Sequence, residues 1–107
     1  MTTFNDREKG FERKFAHDEE MLFKAAARRN RLVGLWAASL LGKTGADADA
    51  YAMEIVRADF AEHGHEDVYR KLAADLDYRA DEHTIRSKMA EMLAIAKGQI
   101  MSELPEK

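Results

Sequence analysis

Gly42-Lys43-Thr44-Gly45 is the first segment with the residue types for chemistry, because Gly-Lys-Thr closes the phosphate-binding loop of many nucleotide hydrolases. That loop also needs an upstream glycine, a preceding strand and a helix whose first amides cradle phosphate. Here the preceding residues read as helix and Gly34 stands at the wrong spacing, so the segment is expected to be a turn between helices. His63-Gly64-His65 offers two imidazoles, with His17 or His83 as a third donor. No partner stands at the i, i+4 spacing of a helical metal motif, so a polar turn is expected and no metal site is assigned. Lys24, Arg28 and Arg31 recur at steps of four and three and share one helix face, with Arg29 beside them. Three uses compete for this cluster: ion pairs on a solvated face, an anion site, or a docking patch. Lys24, Arg28, Arg29 and Lys43 are the candidate contacts for a nucleotide phosphate, with Trp36 or Tyr51 near its purine. Carboxylates are plentiful, yet none is paired with a nucleophile or a base, and the chain does not read as an enzyme.

These side chains must be held by helices. Alanine, leucine, methionine, glutamate, lysine and arginine dominate, and they lose little rotamer freedom in a helix. Valine, isoleucine and threonine are scarce, and the one proline, Pro105, is too near the end to interrupt an element. The first long helix is expected over about residues 18–41, with Leu22, Ala25, Ala26, Arg29, Leu32, Val33, Trp36 and Leu40 on its inner face. Gly42 suits the left-handed position that ends it. Gly34 lies inside it, which a close helix contact would explain. A second helix is expected over residues 46–63, with Thr44 and Asp47 as a capping box and Tyr51, Ala52, Ile55, Val56, Asp59 and Phe60 turned inward. A third over residues 66–77 presents Val68, Tyr69, Leu72, Ala73 and Leu76. A fourth over residues 82–103 presents Ile85, Met89, Met92, Leu93, Ala96 and Ile100. Short links favour antiparallel neighbours, so the fold class is all-α, a four-helix bundle over residues 18–107.

Composition narrows the function further. The chain has 107 residues, with 17 lysines and arginines against 20 aspartates and glutamates, a net charge of −3. That balance argues against a general nucleic-acid binder. Cysteine is absent, which removes disulfides, thiolate metal sites and cysteine nucleophiles. No segment has the roughly 18 apolar residues of a membrane span, and residues 1–8 reach charge at once without an apolar signal core. A soluble cytoplasmic chain without direct membrane insertion is the expectation.

Residues 1–17 differ from the rest. Phe4, Phe11 and Phe15 stand among Asp6, Arg7, Glu8, Lys9, Glu12, Arg13 and Lys14. Steps of seven and four place the three rings on one stripe if the segment winds into a helix. Gly10 weakens such a helix, and three rings bury too little surface to order it alone. Two readings are open: a frayed terminus, or an arm that folds when its rings enter a partner's groove.

Phe4-x-Asp6-Arg7-Glu8, Lys14-Phe15-Ala16-His17-Asp18-x-Glu20-Met21-x-Phe23-Lys24 and Ala27-Arg28-Arg29-Asn30-x-Leu32-x-Gly34-x-Trp36-Ala37-Ala38-x-Leu40-Leu41-Gly42 resemble the zeta subunit. This is the ATPase inhibitor family of α-proteobacterial ATP synthases. Tyr51-Ala52, Val56-x-Ala58-Asp59-Phe60, Glu66-Asp67-Val68 and Ile85-Arg86-x-Lys88-Met89-Ala90-Glu91 extend the resemblance over nearly the whole chain. His65 departs from it, standing where a capping aspartate is expected. The resemblance implies a four-helix fold with a flexible arm, no catalysis, no required cofactor and a monomer when free. It further implies that the arm enters a catalytic α/β interface of the F1 head, near the central γ shaft, and hinders rotation. Phe4, Phe11 and Phe15 are then the anchors, with Asp6, Arg7, Glu8, Glu12, Arg13 and Lys14 around them. The protein would be cytoplasmic and peripheral to the inner membrane when bound. The runner-up is a small helical module that senses ADP or ATP by weak binding, and a third reading is a bundle that dimerises through its arm.

Overall fold

The computed structural model describes residues 19–61 and 65–103. The expected arm, together with His17, His63 and Gly64, lies outside the described residues, as does the side chain of Phe60. The described chain forms helices α1 (Glu19–Leu40), α2 (Gly45–Ala61), α3 (His65–Leu76) and α4 (Glu82–Glu103), with a single 3-10 turn at Asp77–Arg79. Among the described residues there is no strand, as the composition requires.

α1 is the central element, packed along both α2 and α4 and more lightly against α3. That position changes which of its residues are inside. Leu22 and Leu40, expected inward, are 39% and 40% exposed. Burial runs instead through Met21, Ala25, Arg29, Val33 and Ala37, with a second row of Asn30, Gly34 and Ala38. A helix covered on more than one side must spread its contacts around its girth, and small residues then carry much of the packing. The other helices follow the expected faces: Tyr51, Ala52 and Ile55, then Val68, Leu72 and Leu76, then Ile85, Met89, Ala96 and Ile100 are buried. Full burial of a side chain such as Ile55 or Leu72 stabilises by about 1.5–3 kcal/mol. A smaller cluster of Met21, Ala25 and Ile100 closes the end of the bundle where α1 begins.

The ends of the helices have identifiable causes. Gly42, at φ 77°, lets the Lys43 amide donate to the Ala38 carbonyl at 2.9 Å and its own amide donate to the Ser39 carbonyl at 3.2 Å. These paired bonds satisfy the last carbonyls of α1. Gly45 is also left-handed, at φ 55°, and α2 begins there, one residue earlier than expected. The Asp47 amide there donates to the Thr44 carbonyl at 3.1 Å instead of to the hydroxyl of the expected capping box. A side-chain cap appears at α4, where the Thr84 amide donates to Asp81 Oδ1 at 2.8 Å. Asp77, at φ 52°, ends α3 in a conformation that aspartate tolerates better than most residues.

Gly34 holds α1 against α2. A Cβ at this position would lie 2.9 Å from the Ala52 Cα and 3.1 Å from Ile55 Cγ1, closer than backbone can accommodate without moving. Among the described residues nothing lies within 4 Å of the equivalent point on Gly98. The two glycines therefore respond oppositely to alanine. G34A should lose about 1–3 kcal/mol by overpacking, more than its gain in helix propensity. G98A should gain about 0.5–1 kcal/mol. Urea unfolding of both variants checks the pair, and a stabilised G34A would reject the close contact.

Candidate functional site

Two spaces adjoin the basic cluster of α1, and they divide its residues. The larger, about 730 Å³, lies between α1, α2 and α4 and includes Lys24, Arg28 and Arg31 in its lining. Arg28 is clamped there: its two terminal nitrogens meet Glu103 at 2.5 and 2.9 Å, and Gln99 Oε1 stands 3.4 Å away. This fork-on-carboxylate bond holds the Glu103 carboxyl below its ordinary value and raises the Arg28 guanidinium. Lys24 lies 3.6 Å from Glu20, and Arg31 lies 4.0 Å from Asp49. The cluster is thus ion-paired, as one of the three expectations held.

Arg29 takes a different role. It is only 7% exposed, and its Nε donates to the fully buried Asn30 Oδ1 at 2.8 Å. Burial lowers its pKa, partly offset by the charge of Asp59. Asn30 Nδ2 and Asp59 Oδ1 are buried without a hydrogen-bond partner among the described residues. Arg29 lines the smaller space, about 280 Å³, with His65 and Arg86 as its other polar groups and Met89, Ala90 and Leu93 as its apolar side. Lys43 lies past the far end of α1, about 25 Å along the axis from Lys24. The four candidate phosphate contacts are therefore distributed over three places: Lys24 with Arg28, Arg29 alone, and Lys43 alone. Tyr51 is in the core, where its hydroxyl donates to Asp75 Oδ2 at 2.8 Å, and Trp36 lies under the Lys88 ammonium, 5.7 Å from the ring centroid.

The meeting of His65, which the sequence offers as a metal donor in a polar turn, with Arg86 had no sequence signal, because one begins α3 and the other sits on α4, and only tertiary packing unites them. Arg86 is held by Glu66 at 2.8 and 3.2 Å and by Glu82 at 2.8 Å, with its guanidinium 3.9 Å from the Tyr69 ring centroid. A second tie joins α2 to α3. Lys71 bonds Asp75 at 3.0 Å and Glu54 at 3.3 Å, and these bonds outweigh burial to raise its pKa. Burial and the bond to Asp75 likewise push the Tyr51 hydroxyl far upward. Among the described residues no group of histidines and carboxylates could hold a metal ion, and no helix is long and apolar enough to cross a membrane.

The sequence pattern of the ATPase inhibitor subunit zeta family matches residues 1–99. The chain belongs to that family. Among curated proteins no match is found. A protein solved by solution NMR is similar at 56% identity, with a TM-score of 0.72, over 78% of this chain and 99% of its own. The zeta-family match runs from the arm through the helices that carry both cavities and stops inside α4.

Three exposed carboxylates of this zeta-family bundle have depressed pKa values. The bond to Arg86 holds Glu66 below its ordinary 4.5, Arg28 does the same for Glu103, and the Thr84 bonds lower Asp81 from 3.8. A depressed folded pKa contributes stability that is present above the unfolded value and is lost as pH falls through the folded one. Thermal midpoints should thus hold from neutral pH to about 5 and fall steadily below about 4.5. An E66Q/E103Q variant should flatten that fall, as melting curves at successive pH values would show. An acid limb as steep as that of the parent would contradict the assignment.

Proposed function

We propose that this chain inhibits ATP hydrolysis by the F1 head of an ATP synthase, with residues 1–17 as the inserted element and the bundle as an anchor outside. The observation that carries this reading is that the family match begins at residue 1, so the phenylalanine-bearing arm belongs to the pattern along with the helices. Phe4, Phe11 and Phe15 enter a catalytic α/β interface near the γ shaft. Asp6, Arg7, Glu8, Glu12, Arg13 and Lys14 meet its wetter rim. The protein acts as a noncatalytic regulator at the cytoplasmic face of the inner membrane.

Magnitudes make the arm a reversible wedge. Burying one phenylalanine contributes about 1.5–3 kcal/mol. Ordering about a dozen residues costs about 1–2 kcal/mol each, more than three such rings offset alone. The bundle tips this balance by holding the arm beside its target at high local concentration. It also stops the arm from being drawn through when the shaft turns. Full-length F4A/F11A/F15A should lose at least about 100-fold in inhibitory potency, with unchanged far-ultraviolet circular dichroism. Hydrolysis by F1 lacking this subunit is the readout, and undiminished inhibition would reject the anchors.

One observation favours a second, compatible reading. Arg29, His65 and Arg86 around one space suit the phosphates of a purine nucleotide, with Met89 and Leu93 against its apolar parts. ADP would then bind weakly and bias the inhibitor. Titrating ADP should shift the amide signals of His65 and Arg86, and R86Q should abolish the shift. A flat titration would remove this reading.

A further inference from the structure

We propose that the smaller space, where α3 and α4 meet α1, is a binding site for an apolar monocarboxylate held by the free end of the Arg29 guanidinium. Arg29 is almost fully buried, and the bond from its Nε to Asn30 is the one hydrogen bond it makes among the described residues. The charge of Asp59 reaches it, but no ion pair joins it among those residues. The fully buried side-chain atoms without a partner there are Asn30 Nδ2, Asp59 Oδ1 and Asp67 Oδ2. The terminal nitrogens of Arg29 are unbonded yet not sealed in this way, so they open onto the space that the residue lines. A guanidinium withdrawn from water without a carboxylate is costly, and a ligand carboxylate on its fork would offset that cost.

Charge, lining and size select the ligand. Arg86 is already bonded to Glu66 and Glu82 and lies against the Tyr69 ring, and His65 stands 3.6 Å from Glu66. Arg29 is therefore the unmatched positive charge of this lining, and Glu66 at its edge repels a second negative charge on any ligand. One carboxylate is matched, whereas a polyphosphate is held only weakly. Opposite the guanidinium, Met89, Ala90 and Leu93 offer an apolar wall for the body of the ligand. The space of about 280 Å³ has room for about nine atoms at the roughly 30 Å³ that a water molecule occupies. A whole nucleoside diphosphate is larger and would enter by its phosphate end, while a carboxylate on a short aromatic or branched aliphatic body fits entirely. The inference goes beyond the nucleotide reading above and needs neither a nucleotide nor the ATPase.

The test titrates the isolated full-length chain with 3-phenylpropionate and follows the methyl signals of Met89 and Leu93. Saturable shifts are expected at these two, while the methyls of Met53 and Val56 in the larger groove stay in place. The neutral analogue 3-phenylpropanol should bind at least about 10-fold more weakly, for want of the charge-assisted fork. Equal affinity for acid and alcohol would overturn the proposal, as would Met89 and Leu93 methyls that the acid leaves unmoved. R29K keeps the charge without the fork and should weaken the acid several-fold, with little effect on the alcohol. Arg29 is buried, so a second variant leaves it intact. A90W sets an indole on the exposed rim of the space and should abolish the Leu93 shift. Binding that survives A90W would place the acid elsewhere and overturn the site. ADP is absent throughout, so failure here and failure of the nucleotide titration are separate results.

Discussion

The backbone contact between α1 and α2 at Gly34 and Ala52 is the constraint on which the other packing depends. Helices that approach through a missing Cβ bring their axes close, and the larger side chains must then go to either side of the contact. Ile55, Val33 and Tyr51 fill one side, where α3 adds Val68 and Leu72. α4 covers the remaining flank of α1, and its Ile100 closes the end with Met21 and Ala25. Both cavities border α1, one at its junction with α2 and α4, the other under Arg29 where α3 and α4 meet it. Widening the Gly34 contact would therefore disturb the core and the larger space together.

Much of this was legible in the residues. Helical composition, Gly42 and the inward rows of α3 and α4 predicted elements that the structure contains within one or two residues at each end. Periodicity failed on α1 for a physical reason. A helix buried on several sides has no single apolar face, so counting leucines pointed to Leu22 and Leu40 while alanine, glycine and asparagine did the packing. Thr44-x-x-Asp47 misled because two left-handed glycines flank Lys43-Thr44 and let the backbone satisfy itself. Asp81-x-x-Thr84 carried the true capping signal.

The candidate site was legible only in part. Spacing on one helix correctly grouped Lys24, Arg28 and Arg31, since these positions face the same way in any straight helix. Arg29 is one residue, or about 100°, further round, and that rotation takes it from the open groove to a buried position beside Asn30. The groups that share its cavity, His65 and Arg86, come from distant segments, and no local pattern encodes such a meeting. Adjacent arginines have opposite fates for this reason: Arg28 is a surface clamp, while Arg29 is a desolvated cation beside the smaller, largely apolar space.

The bundle and the arm divide the work under the proposed function. Helix packing supplies a rigid, charge-balanced body, and the arm supplies large rings whose burial depends on a surface elsewhere. The most direct measurement places a photoreactive phenylalanine analogue at position 11 in one protein and at position 53 in another, each added to F1 during ATP hydrolysis. The account predicts cross-links from position 11 to both α and β subunits of the head. Cross-links to those subunits from position 53 with none from position 11 would contradict it and assign the inhibitory surface to the bundle.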